Sequence, residues 1–154
     1  MSGRALTCSI LIRSSIRRIL IPRAVDKELT KLMQVAPSQA IQKAKSEGWL
    51  EVVDEVRSPL IRLFEEQLDP GEASAIAVAL ERSADLLLID EADGREVATV
   101  AWLRVRGVLG ILRLAKEAGE LSSLRDELRK LRDDPHFFVS PRLTERFLAA
   151  SGED

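Results

Sequence analysis

Apolar residues in this chain fall into short runs, and the stretches between them repeat apolar positions at helical spacing. Arg18-Ile19-Leu20-Ile21-Pro22 reads as a strand stopped by a proline that cannot donate to the next ladder bond. Pro22 also suits the first turn of a helix carrying Ala24, Val25, Glu28, Leu29 and Leu32. Pro37-Ser38 opens a second helix, closed at Gly48. Trp49 to Val53 predicts a strand, and Ser58-Pro59 caps a helix to about Gln67, with Leu60, Leu63 and Phe64 on one face.

Asp69-Pro70-Gly71-Glu72 combines an N-cap acid, a proline at N1 and a glutamate at N3, a strong helix start. The helix it opens, Ala73 to Arg82, is alanine-rich, so a neighbouring element can approach it closely. Leu86 to Ile89 is apolar without alternation, which fits a strand buried on both faces of a parallel sheet. Asp93 to Trp102 predicts a helix, Val105 to Val108 a short strand, and Leu109 to Glu117 a helix ended by Gly119. Ser122 or Ser123 caps a charged helix to Arg132, Phe137-Phe138-Val139 makes a last strand, and Ser140-Pro141 starts a helix through Ala150. Strands alternating with helices of this length predict an α/β fold with a mainly parallel sheet. No repeat or linker divides the chain, so one domain is expected. Residues 1–17 fit neither period.

The chain has 154 residues, 45% of them hydrophobic, enough to bury roughly 70% of its unfolded surface without staples. A single cysteine, Cys8, excludes an intramolecular disulfide and points to a reducing compartment. With only one histidine as well, a zinc site of Cys and His is nearly excluded. The net charge of −2 provides no global field for nucleic acid, although the basic residues are mostly arginines, which suit bidentate phosphate contacts. The alternative for those arginines is a salt-bridged, solvated surface. No stretch reaches the ~20 apolar residues of a membrane span. Arginines at 4, 13, 17 and 18 break up the N-terminal apolar run, unlike a signal peptide, so a cytoplasmic location is expected.

Candidate chemistry lies in the acids. Side chains at the carboxyl ends of strands gather at the functional edge of open α/β sheets. Asp90 follows the most apolar strand, Asp93 lies three residues on, Glu72 stands at the mouth of the preceding helix and Glu28 on the helix after the first strand. Brought together, such carboxylates repel unless a hard cation neutralises them, and oxygen-only ligation suits Mg²⁺ or Mn²⁺. Each has a structural alternative. Glu72 completes a capping box with Asp69, Asp93 pairs with Glu96 in a second box, and Glu28 lies on the polar face of an amphipathic helix. Asp90 has no such ready explanation, since a carboxylate at the end of a buried strand is costly unless paired or bound to metal. His136 reads as a strand-edge residue.

Three blocks then stand in order: ILIPRAVDKEL at 19–29, LDPGEASAIAVALERSADLLLIDEADGREVA at 68–98, and RVRGVLGILRLAKEAGEL at 104–121. Together they resemble a PIN-like family related to VapC toxins, over roughly residues 19 to 150. Residues 1–18 form an atypical N-terminal segment and 151–154 a tail. The resemblance implies a three-layer α/β/α sandwich, binding of Mg²⁺ or Mn²⁺ by acids, and cleavage of single-stranded RNA. By position, Glu28, Glu72 and Asp90 are the catalytic and metal-binding acids, Asp93 an accessory ligand, and Arg95 a phosphate contact. It also implies a small antitoxin protein and a second copy of the chain as partners. Such families begin with a strand ending in aspartate, whereas residues 1–17 contain no Asp or Glu; Cys8-Ser9 or Ser14-Ser15 stands in that region. Two readings follow: a ribonuclease impaired by loss of its first acid, or a non-catalytic PIN-like module that binds RNA or protein.

Overall fold

The computed structural model describes residues 18–32, 38–54, 59–132 and 139–153. The segment 1–17, the Ser58 cap, His136 and the Phe137-Phe138 strand lie outside the described residues. Strand β1 (Ile19–Pro22) is followed directly by helix α1 (Arg23–Leu32), then α2 (Ser38–Ser46) and β2 (Leu50–Val53). The β1 and β2 strands pair in parallel, Ile19 against Leu50 through Pro22 against Val53. Parallel pairing needs a crossover, which α1 and α2 supply. Ile19, Ile21, Val25, Leu29, Ile41 and Leu50 pack into one core between these elements. Lys45 on α2 forms an ion pair with Asp26 on α1.

Helices α3 (Pro59–Glu65) and α4 (Pro70–Glu81) follow, then β3 (Leu87–Leu88), α5 (Ala92–Val100), β4 (Val105–Arg106) and α6 (Val108–Glu117). The chain ends in α7 (Leu124–Arg132) and α8 (Pro141–Ala150). Strands β3 and β4 are also parallel, Leu87 against Val105, and the amides of Leu87 and Ile89 donate to the carbonyls of Arg104 and Arg106 at 2.8 and 3.0 Å. The fold is thus α/β with parallel strands, as the alternation predicts. Among the described residues the ladder is divided into two parallel pairs, β1–β2 and β3–β4.

Helix α4 joins the two pairs. Every residue from Gly71 to Ala79 is buried, and the helix contacts α1, α3, α5, β1 and β3. A helix that is apolar or small on all sides has to be central, and its alanines bring these neighbours close. Strand β3 is covered on both faces, as its unbroken apolar run predicts. Leu87 and Ile89 pack with Ile76, Ala79 and Ala98 on one side. On the other, Leu86 and Leu88 pack against the core of Ile111, Leu112, Leu124 and Leu128.

Several boundaries differ from the sequence reading, each for a local reason. Leu60 and Leu63 do not face the core; they are 48% and 53% exposed. The inner stripe of α3 runs one residue round, through half-buried Ile61 and Phe64 to buried Leu68. Helix α5 begins at Ala92 with Glu91 as its N-cap, so Asp93 is inside the first turn and its expected capping box with Glu96 does not form. The same helix ends at Val100, because Trp102 turns into the left-handed region at φ 61° and the Leu103 amide bonds back to Ala98. Strand β4 stops at Arg106, since Gly107 already serves as the N-cap of α6. For α7, Ser123 is the capping serine, its Oγ accepting the Asp126 amide at 3.2 Å.

Candidate functional site

The entrance to α4 is built from Asp69, Pro70, Gly71 and Glu72. Asp69 is extended (φ −68°, ψ 161°) and its Oδ1 accepts the Glu72 amide at 2.8 Å. The Asp69 amide donates back to Glu72 Oε2 at 3.4 Å, completing the capping box expected from sequence. That role engages only one oxygen of Glu72. The residue is 5% exposed, and its Oε1 is buried with no hydrogen-bond partner among the described residues. A buried, unpartnered carboxylate oxygen is expensive, so capping does not fully account for this side chain.

Three glycines each seat one of the candidate acids. A Cβ on Gly71 would stand 2.7 Å from Oε1 and 3.0 Å from Oε2 of Glu28, so the Glu28 carboxylate lies directly on the α4 backbone. A Cβ on Gly94 would stand 2.4 Å from Ile89 Cδ1 and 2.8 Å from Glu72 Oε1, and one on Gly107 only 2.5 Å from Asp90 Oδ1. Real Cβ atoms do not approach other atoms so closely, so a side chain at any of the three would have to displace the carboxylate, and at Gly94 the Ile89 side chain as well. Glu28 sits on the inner side of α1, which packs on α4.

Burial raises the pKa of both Glu28 and Glu72, and the negative charge of Asp69 raises each further, with Glu91 adding to both. For Glu28 the Lys31 charge opposes the rise, and for Glu72 the Asp69 amide does. The two glutamates therefore share one electronegative surrounding at the head of α4.

Asp90 is turned elsewhere. Its Oδ1 accepts the Val108 amide, the first of α6, at 3.3 Å and lies 3.9 Å from Arg95 Nη1. The question raised by the sequence, why a carboxylate should end a buried strand, has a local answer: the half-exposed Asp90 caps a helix N-terminus and pairs with an arginine. Asp90 also borders a shallow cleft lined by Leu88, Arg106, Gly107, Val108 and Ile111. Asp93 is exposed on α5. Glu28 and Glu72 thus flank the head of α4, and Asp90 with Arg95 stands at the head of α6. Among the described residues no three Asp, Glu, His or Cys side chains stand so as to hold a metal ion as they are.

The donor chemistry nonetheless fits a hard divalent cation. All the available side-chain ligands at the head of α4 are carboxylates, one carries a buried oxygen without a partner, and two are penalised by burial and by the charges of Asp69 and Glu91. Two further acids act at this site, Asp69, whose sequence signal is that of a cap alone, and Glu91, which no sequence motif singles out beside Asp90. Gly71, Gly94 and Gly107 carried the signal, since a glycine beside each acid marks a close approach.

A family model described as a PIN domain matches residues 6–153, so this chain belongs to the PIN-domain family, a class of nuclease-like modules that typically use divalent metals. No curated protein and no solved structure matches it significantly. The match starts upstream of Ile19, and residues 6–18 contain no Asp or Glu. No helix among the described residues is long and apolar enough to cross a membrane.

Proposed function

We propose that this chain is a metal-dependent endoribonuclease of the toxin–antitoxin kind, acting on single-stranded RNA in the cytoplasm with Mg²⁺ or Mn²⁺. The observation that carries this reading is the buried, unpartnered Oε1 of Glu72 at the head of α4, where the Glu28 carboxylate is seated on the adjoining Gly71. Glu28 and Glu72 would hold the cation, together with a carboxylate that follows β3. Bound there, the ion supplies a water of lowered pKa and charge stabilisation for phosphodiester cleavage. Arg95 orients a backbone phosphate, its guanidinium already held beside Asp90. The small antitoxin protein and a second copy of the chain, both implied by the resemblance to VapC-like families, are the proposed partners.

The test is cleavage of end-labelled single-stranded RNA with Mn²⁺, with EDTA and Glu72→Gln as controls. Cleavage abolished by both controls is expected, and equal cleavage by parent and variant contradicts the reading. A second reading, a non-catalytic PIN-like module that binds RNA or protein, is favoured by one observation. The described acids do not converge into a metal-ligating group, and residues 1–17 add no acid. It predicts RNA or protein binding by folded protein without Mn²⁺-dependent turnover.

A further inference from the structure

The carboxylate that completes the site follows from the parity of strand β3. Successive strand residues point to opposite faces. Leu86 and Leu88 pack on the α6–α7 core, whereas Leu87 and Ile89 pack on α4 and α5. Continued past the strand, Asp90 falls with Leu88, and its carboxylate is found at the head of α6, on the Val108 amide. By the same alternation Glu91, whose backbone is still extended (φ −69°, ψ 141°), is assigned to the side of Ile89, which packs with α4 and α5.

Two further observations agree. Glu91 is the N-cap of α5 but makes no side-chain capping bond, so its carboxylate is not committed there. The first turn it precedes is the one whose Gly94 lies against Glu72 Oε1, the buried oxygen without a partner.

We infer that Glu91, and not Asp90, is the strand-end carboxylate that joins Glu28 and Glu72 in binding the divalent cation, while Asp90 is a positioning residue for Arg95 and the start of α6. The inference rests on the proposed metal site and assigns its ligands. The side chain of Glu91 is exposed and makes no capping bond, so no hydrogen bond has to break for it to turn toward Glu72. Asp90 would have to abandon both the Val108 amide and Arg95 to do the same.

The test is Mn²⁺ titration calorimetry on the full chain, comparing parent, Glu72→Gln, Glu91→Gln and Asp90→Asn, with Mn²⁺-induced thermal shift as a second readout. Glu72→Gln and Glu91→Gln are expected to weaken Mn²⁺ binding about tenfold or more, as ligand charge sets affinity at oxygen sites. Asp90→Asn is expected to stay within about twofold of the parent. Parent-like Mn²⁺ binding by Glu91→Gln, with binding lost in Asp90→Asn, overturns the ligand assignment and leaves the metal site standing. A parent that binds no Mn²⁺ in either readout overturns the site itself. Glu91 is exposed and uncommitted, so Glu91→Gln should fold as the parent does, which its thermal unfolding reports.

Discussion

The carboxylate of Glu28 rests on the backbone of Gly71, so close that a Cβ there would meet Oε1 at 2.7 Å. Gly71 is in the first turn of α4, where alanine is otherwise the better residue by about 0.5–1 kcal/mol. Gly71→Ala should therefore fold at least as stably as the parent, because the atom it displaces is the end of a flexible side chain. It should also push Glu28 out of place and weaken Mn²⁺ binding about tenfold or more, as loss of ligand support does. Denaturant unfolding and Mn²⁺ titration of the same sample separate the two effects. Unchanged Mn²⁺ affinity would detach Glu28 from the site.

Glu72 should set a pH dependence in metal-free protein. Its folded-state pKa is raised, by burial first and then by Asp69. For an acid so raised, the folded state binds the extra proton, so its contribution to stability is complete at low pH and is lost as pH rises through the folded value. Glu72→Gln removes the penalised charge and keeps an acceptor for the Asp69 amide. With EDTA, the variant should be more stable than the parent at pH 7, and the gap should close on acidification towards the ordinary glutamate value of 4.5. Thermal unfolding of both proteins across that range decides it; a gap that widens in acid contradicts the assignment.

The opposite sign is expected at Glu153. The Lys116 ammonium, together with the Leu124 and Arg125 amides at the head of α7, holds this carboxylate at about 2. Its stabilisation is present above the unfolded value of 4.5 and is lost as pH falls towards about 2. Glu153→Gln should destabilise the protein by about 1 kcal/mol at pH 7, in the range for a helix cap, and by much less near pH 3. Urea unfolding at the two pH values measures this.

Trp102 takes the left-handed conformation usually left to glycine, although its side chain is 94% exposed. That conformation costs a residue with a Cβ roughly 1–2 kcal/mol, of which a glycine's greater unfolded freedom takes back about 0.5–1 kcal/mol. Trp102→Gly should then leave stability unchanged or raise it by up to about 1 kcal/mol. A clear loss in urea unfolding would mean that the indole packs on something in solution.

Much of this fold is legible in the sequence because its local signals agree. The Asp69-Pro70-Gly71-Glu72 start, the alanine-rich α4 and the unbroken Leu86–Ile89 run each specify one environment, and each is found there. Leu60 and Leu63 misled because α3 is only seven residues long and packs through Ile61 and Phe64, one position round from the leucines. Asp93 misled because Glu91, with no capping bond of its own, still serves as the N-cap two residues earlier. At the site, sequence named Glu28, Glu72, Asp90 and Arg95, but not which way each carboxylate turns. That depends on strand parity and on contacts across the chain, such as Asp90 with Val108, which no local period encodes.

The most direct measurement is the rate of end-labelled single-stranded RNA cleavage by the parent and by Gly71→Ala, each with Mn²⁺ and with EDTA. A metal-dependent ribonuclease built on Glu28 and Glu72 predicts cleavage by the parent with Mn²⁺ alone, and little or none by the folded variant. Cleavage that survives EDTA, or a well-folded parent that cuts nothing, would contradict it.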